Sequence, residues 1–383
     1  MRRGSRSRTV RPLIRTALES IEPYEGGKPI EEVEREYGLS RVVKLASNEG
    51  PFGPFPIARQ VLSTQSFELN RYPDGSAYEL RALLAERLGV DIDEVAQGAG
   101  ADGVIGYLSL ALLETGDEVV FGWPSFATYM LDTLKLGATP RPVPLSDNRY
   151  DLEAMLAQIG PRTKIVYICN PNNPTGTMNS REELDAYFER VPEHVLTVID
   201  QAYFEYIEEP DYPDAIAEYF KLGKRVATLR SFSKIYGLAG LRVGYAVASK
   251  EICAALAKVR PAFDLSSTAQ AAAVASLSGD DAEAELERRR SYNRVAIAEL
   301  GRILRAFGLE TVGPAVANFL YVDLGVDSRP FYEQLLAQGV VVRPLHGFGA
   351  PTAIRVTAGT AEEHALLRQA LQVVRPGGRS ITA

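Results

Sequence analysis

Cysteine is scarce: the 383 residues hold two, Cys169 and Cys253, each set in an apolar stretch. Neither has a second thiol nearby, which excludes a metal knuckle and a redox pair, and a reducing compartment is expected. Long apolar runs are missing as well, and none approaches the ~20 residues needed to span a bilayer. The amino-terminal MRRGSRSRTVRPLIRTALESI opens on a twin arginine, but no apolar stretch of ~7–15 residues follows, so a soluble, cytoplasmic protein is expected rather than an exported one. There is no excess of positive charge either. The net charge is -7 with both signs interspersed, which excludes a nucleic-acid footprint and leaves a small molecule as the expected partner. Internal repeats and low-complexity tracts are absent.

What is present is alternation. A chain of this length exceeds the ~100–200 residues of one ordinary domain, so a large domain and a smaller one are expected. Short Val- and Ile-rich runs, EVVFGW (118–123), TKIVYIC (163–169), VLTVID (195–200), RVATLR (225–230) and LRVGYAVA (241–248), alternate with helical patterns such as ADGVIGYLSLALL (101–113) and SREELDAYFERV (180–191). That texture predicts an α/β fold with a largely parallel sheet flanked by helices. Beyond Pro261 it changes to TAQAAAVASL, a charged amphipathic helix, and short strand patterns at NFLYVDL (318–324), VVVRPL (340–345) and IRVT (354–357). The expected division is a large domain over 46–262 and a small α+β domain over 263–383, with residues 1–45 packing on the small one.

In open α/β sheets the ligand crevice lies outside the carboxyl ends of the strands. Here TKIVYIC hands over to NPNNPTG (170–176), VLTVID ends in Asp200 with Tyr203 following, and RVATLR ends in SFSKIYGLAGLRVGY (231–245), where Lys234 sits between Ser231, Ser233 and Arg242. Taken singly, each is also what a turn, a cap or a solvated lysine looks like. GAGADG (98–103) precedes a helix and matches G-x-G-x-x-G; glycines at a helix start let N–H groups approach a phosphate. Only EVAQ precedes it, so the match is stronger for phosphate than for a dinucleotide. A phosphate cradle, a lysine among hydroxyls, an aspartate and an asparagine loop on one rim are the partners that pyridoxal 5'-phosphate requires. Gly237 and Gly240 are expected to let the chain turn back from Lys234 into the next strand.

The ordered motifs YEGGKPIEEVEREYG, VVKLASNEGPFGP, LNRYPDGSAYELR, PSFATY, CNPNNPTGT, DQAYFEY, SFSKIYGLAGLRVGY and AIRVTAGT run from about Tyr24 to Arg375. The chain resembles the fold-type I pyridoxal-phosphate aminotransferases of the histidinol-phosphate aminotransferase family. That resemblance implies a seven-stranded, mostly parallel sheet, and a homodimer. It also implies transfer of an amino group from histidinol phosphate to 2-oxoglutarate, in two half-reactions through a lysine Schiff base. Lys234 would be that lysine and the proton-moving base, while Asp200 would pair with the pyridine nitrogen. Tyr203 and Asn173 would hydrogen-bond the cofactor's phenolic oxygen, and Phe126 would stack on its ring. Ser231, Ser233, Arg242 and the N–H groups of Ala101 and Asp102 would hold its phosphate. Tyr72 would reach the cofactor phosphate of the neighbouring subunit. Arg355 would clamp the substrate's anion, with Arg343, Asn173 and Tyr24 beside it. No metal is implied.

Departures from the family pattern lie close to the substrate. GAGADG stands where G-x-G-S-D-E is usual, DQAY replaces D-E-A-Y, and SNEGP replaces S-N-E-N-P. FGWPSF (121–126) is shared with phenylalanine-type relatives, which makes an aromatic amino acid the alternative donor. A more distant alternative, from the glycine fingerprint, is an NAD-dependent oxidoreductase.

Overall fold

A computed structural model describes residues 13–374 apart from 20, 24, 25, 65 and 66. Strand β1 (Val43–Lys44) precedes the seven strands of the main sheet: β2 (Val95–Ala99), β3 (Glu118–Trp123), β4 (Thr139–Pro144), β5 (Thr163–Cys169), β6 (Leu196–Asp200), β7 (Val226–Ser231) and β8 (Val243–Val247). Their order across the sheet is β2-β8-β7-β6-β5-β3-β4. β8 runs antiparallel to both neighbours and every other pair is parallel. Helices cover both faces, which is why β3, β5, β6 and β7 read as continuous apolar runs: Val119, Val120, Phe121, Ile165, Val166, Val198, Ile199, Ala227 and Leu229 are all fully buried. Each Val, Leu, Ile or Phe among them contributes roughly 1.5–3 kcal/mol by leaving water.

Two strands of this sheet escape sequence reading. β2, VAQGA, is short and carries a glycine. β4, TPRPVP, carries three prolines. Its prolines fall at alternate positions, so their missing N–H groups all point to one side. The donors Thr139 N and Leu145 N face β3, bonding Asp117 O at 2.8 Å and Trp123 O at 3.3 Å. The proline side is the free edge, where it blocks further strand pairing.

The carboxy-terminal part builds β9 (Phe319–Asp323), β10 (Val340–Val341), β11 (Arg343–Leu345) and β12 (Ala350–Thr357), of which β11-β12-β9 form an antiparallel sheet. VVVRPL is therefore two strands: β10 pairs in parallel with β1, and β11 pairs with β12. Val43 and Leu45 share an apolar cluster with Leu300, Ile303 and Leu304 of the helix Asp280–Ala306 and with Leu367 and Leu371 of the helix Ala361–Val373. The alanine-rich helix Ser267–Leu277 buries Ala269, Ala272 and Ala273 in a different cluster, with Phe55, Leu80, Leu84 and Phe232.

Candidate active site

The carboxyl ends of β2, β3, β5, β6 and β7 lie on one rim, and because β8 runs the other way its amino end lies there too. Ala99, Trp123, Cys169, Asp200, Ser231 and Arg242 thereby converge from six strands. They edge a cleft of about 910 Å³ lined by Ala101, Asp102, Phe126, Asn173, Asp200, Tyr203, Ser231, Ser233, Lys234 and Arg242. A smaller recess of about 110 Å³ shares Phe126, Asn173, Tyr203 and Lys234 with it and adds Arg343, Phe348 and Arg355. Tyr72 is not in the cleft: it is 81% exposed and stacks on Phe263 with ring centroids 4.5 Å apart. Tyr24 lies outside the described residues.

One end of the cleft is built for an anion. The helix Gly100–Leu112 points its first N–H groups into it. Gly100 has φ +78, and a side chain there would run into the Arg242 guanidinium. Gly98 lets β2 lie against Val104, and Gly244 lets β8 pass under the helix start, where a Cβ would be 2.3 Å from Ala101 N. The glycine pattern of GAGADG thus serves backbone approach. Arg242 makes only long bonds, 3.4 Å each to Ser233 Oγ, Ala239 O and Ala99 O, which leaves its fork available to an anion. Ser231 Oγ accepts from Ser233 N at 3.1 Å, and Thr128 draws the Asp102 carboxylate aside with a 2.6 Å bond. Gly237 has φ +69 and would strike Gly53 O if substituted, as expected of a turn glycine. The expectation for Gly240 is corrected: it has open space around it, and the residue that joins Gly237 in a left-handed conformation is Arg242, at φ 55.

The other end carries the acid–base groups. Asp200 is 4% exposed, accepts from Tyr129 Oη at 2.7 Å and from Ala202 N at 3.1 Å, and is pushed above the usual carboxylate range by burial. Lys234 Nζ lies 3.4 Å from Ser47 O and 5.5 Å from the Tyr203 ring centroid. Its pKa is lowered to about 8, first by desolvation and then by Arg355, with Arg242 adding to the effect and Glu49 opposing it. Tyr203 Oη accepts from Asn48 Nδ2 at 2.8 Å. Asn48, at φ 55, is itself held by Thr357 and Asn318. In the recess, Arg355 bonds Ala46 O at 2.6 Å and the Asn173 side chain. Arg343, 6% exposed, stands directly across from Arg355 in the β11–β12 register and is not a solvated strand-end arginine.

Sequence reading missed Tyr129, Asn48 and Phe348. Tyr129 follows Phe126 by three positions in PSFATY, so a helix starting there sets Phe126 in the cleft and Tyr129 behind Asp200; Asn48 stands in the SNEGP stretch. Phe348 had no local signal, because its partners come from two other strands. Among the described residues no group of three or more His, Cys, Asp or Glu side chains could hold a metal ion, and no helix is long and apolar enough to cross a membrane.

The residues present fit pyridoxal 5'-phosphate. The helix start and Arg242 suit its phosphate. Asp200 is a buried carboxylate that lacks a directly bonded cation, which a protonated pyridine nitrogen would supply, and Lys234 is an amine with a depressed pKa. Fold and rim together define a fold-type I enzyme of amino-group chemistry. The family model "Aminotransferase class I and II" matches residues 40–374. Histidinol-phosphate aminotransferase 1 of Nitrosococcus oceani is 42% identical over 94% of this chain and 96% of its own length. The histidinol-phosphate aminotransferase of Moorella thermoacetica is 44% identical over 95% and 93%. The crystal structure of histidinol-phosphate aminotransferase from Sinorhizobium meliloti, in complex with pyridoxal 5'-phosphate, superposes with a TM-score of 0.83 at 29% identity, covering 95% of this chain and 97% of that one. The chain belongs to the class I and II aminotransferases and, within them, to the histidinol-phosphate aminotransferase family. This membership removes the support for the NAD-dependent alternative.

Proposed function

We propose that this aminotransferase uses pyridoxal 5'-phosphate to move the amino group of histidinol phosphate to 2-oxoglutarate. When bound, the cofactor supplies an aldehyde that carries the amino group and a ring that accepts the electron pair left at the substrate carbon. Lys234 Nζ would hold that aldehyde and, when free, would serve as the base that moves the substrate's proton. Its depressed pKa keeps a useful fraction neutral near pH 7–8. Asp200 holds a proton on the pyridine nitrogen, Tyr203 and Asn173 orient the ring through its phenolic oxygen, and Phe126 covers its face. Ser231, Ser233, Arg242 and the N–H groups of Ala101 and Asp102 grip the phosphate.

The observation that carries the substrate reading is the pair Arg343 and Arg355, both buried and facing each other across β11 and β12 in the recess beside Lys234. Two guanidiniums match one compact dianion, and histidinol phosphate presents a phosphate where an amino acid presents a carboxylate. Asn173 and Tyr24 complete the proposed substrate contacts. The test is turnover by the purified holoenzyme, with 2-oxoglutarate, of histidinol phosphate against phenylalanine and tyrosine. A kcat/KM for histidinol phosphate at least 100-fold above either amino acid is expected, and preference for an aromatic amino acid overturns the reading.

A homodimer is part of this proposal. Tyr72 stands with Leu69 and Tyr78 as an exposed apolar group, 81%, 77% and 65% accessible, suited to cover by a second copy and to reach that copy's cofactor phosphate. Sedimentation at micromolar concentration should give twice the chain mass, and Tyr72→Ala should weaken cofactor retention. A cytoplasmic location suits the two buried, unpaired cysteines.

A further inference from the structure

Two buried guanidiniums placed side by side repel each other, and something must hold them apart and aimed while no anion is bound. Arg343 and Arg355 are Cα partners in an antiparallel pair, 6% and 3% exposed. Both lie over the same ring: the guanidinium carbons of Arg343 and Arg355 are 5.4 and 5.5 Å from the centroid of Phe348. A ring face carries partial negative charge and attracts a cation most where water is excluded. Phe348 is 1% exposed, packs with Leu345, Tyr321, Ala353 and Phe126, and lines the recess with Lys234.

The turn that carries Phe348 is fixed from both sides. Gly349 has φ +84 and presses on the Trp123 indole so closely that a Cβ would sit 2.0 Å from Nε1. Three residues before it, His346 Nε2 bonds Asp327 Oδ1 at 2.9 Å. The end of β3 in the main sheet is thereby coupled to the turn between β11 and β12 in the small one. Phe126, which is to cover the cofactor ring, lies three residues beyond Trp123.

We propose that Phe348 is a positioning residue that holds Arg343 and Arg355 as a single two-pronged clamp for the substrate's anion, buttressed by Trp123 against Gly349. The identity of the amino donor rests on the function proposed above; the clamp itself does not, because a carboxylate of 2-oxoglutarate is also an anion that guanidiniums grip. Loss of the ring removes one cation–π contact from each guanidinium and should loosen the aim of both. Arg355 keeps further support from Phe319, 5.3 Å from its guanidinium, and from Ala46 O.

The experiment uses the pyridoxal-phosphate holoenzyme and three probes: 2-oxoglutarate, histidinol phosphate, and histidinol, which has the same amine and imidazole but no anion. Phe348→Leu is expected to raise KM for 2-oxoglutarate and histidinol phosphate about 10-fold with kcat within about twofold, while the single-turnover half-reaction with histidinol is unchanged, the size one desolvated cation–π contact supplies. Phe348→Tyr, which keeps the ring, should stay within about twofold of wild type on all three. Unchanged KM for both anions in Phe348→Leu, equal loss on histidinol, or a Tyr variant as impaired as the Leu variant would each overturn the proposal. If Phe348→Leu does not fold, Phe348→Met, which keeps the bulk and lacks the ring, carries the same comparison. If wild type rejects histidinol phosphate and accepts an aromatic amino acid, the donor reading fails and 2-oxoglutarate alone judges the clamp.

Discussion

The phenol of Tyr129 donates to Asp200 Oδ2 at 2.7 Å while its ring lies flat on Tyr167, centroids 4.4 Å apart. A buried carboxylate that must face a pyridine nitrogen is thus aimed by a side chain that cannot itself turn. Burial raises the Asp200 pKa and the Tyr129 bond lowers it, so removing the hydroxyl should push it higher. Tyr129→Phe is expected to lower kcat about 10-fold, in line with ~1.5–3 kcal/mol for a hydrogen bond to a charged group, and to move the acid limb of the pH–rate profile to higher pH. Asp200→Asn should cost far more, on the order of 1,000-fold or greater, since it removes the charge. An unchanged acid limb in Tyr129→Phe refutes this account.

Lys234, with a pKa of about 8 in the cofactor-free protein, is protonated below that pH and a nucleophile above it. The rate at which apoenzyme takes up pyridoxal 5'-phosphate covalently should rise about tenfold per pH unit toward 8 and then level off. Absorbance of the cofactor follows the reaction directly. Lys234→Ala should show no such phase, no turnover, and still retain cofactor through the phosphate cradle.

Gly244 places β8 beneath the first turn of the helix Gly100–Leu112, with Ala101 N and Gly100 C 2.3 and 2.4 Å from where a Cβ would be. Both are backbone atoms, so neither can step aside cheaply. Gly244→Ala should displace the N–H groups of the cradle and weaken cofactor binding about 10-fold or more. Gly347→Ala, with nothing within 4 Å, serves as the control on binding, measured by equilibrium dialysis.

Two buried titratable groups away from the rim pull stability in opposite directions. His364, 3% exposed, accepts from Gly359 N, and burial lowers its pKa to about 4. Below the ordinary histidine range the unfolded chain takes up a proton that the folded one refuses, so stability is lost as pH falls from about 6.5 through 4. Glu205, 8% exposed, is raised to about 7 by burial. Here the folded chain keeps a proton that the unfolded one has released, so stability is lost as pH rises from about 4.5 through 7. Each effect is worth about 3 kcal/mol at its limit, and they offset one another in wild type. Glu205→Gln should gain stability over wild type at pH 8 and not at pH 4.5. His364→Gln, which leaves the Glu205 effect unopposed, should be more stable at pH 4.5 relative to pH 7 than wild type is. Urea midpoints at the three pH values read both.

Much of the fold was legible because burial on both faces leaves a plain imprint. β3 and β5 coincide with the runs EVVFGW and TKIVYIC, and β6 and β7 lie within a residue of theirs. β4 was not legible, since three prolines in six residues argue against a strand until its position at a free edge makes them harmless. At the site, Lys234, Asp200, Asn173 and Arg242 were readable from strand ends that hand over to polar stretches. Asn48 was not, because its partner Tyr203 stands far away along the chain; Phe348 was not, because only the pairing of β11 with β12 brings both arginines over its ring.

Residue types and their order dictated the alternating architecture, the glycine-lined phosphate cradle and the lysine at its centre, since these depend on local periodicity and on backbone conformations that few residues can adopt. Assembly in three dimensions decided the rest. The reversed direction of β8 brings Arg242 to the rim, the pairing of β11 with β12 sets Arg343 opposite Arg355, and the contact of Trp123 with Gly349 joins the two sheets around Phe348. Each of these unites residues from a dozen to hundreds of positions apart, and only packing, which acts through space and not along the chain, can bring them together.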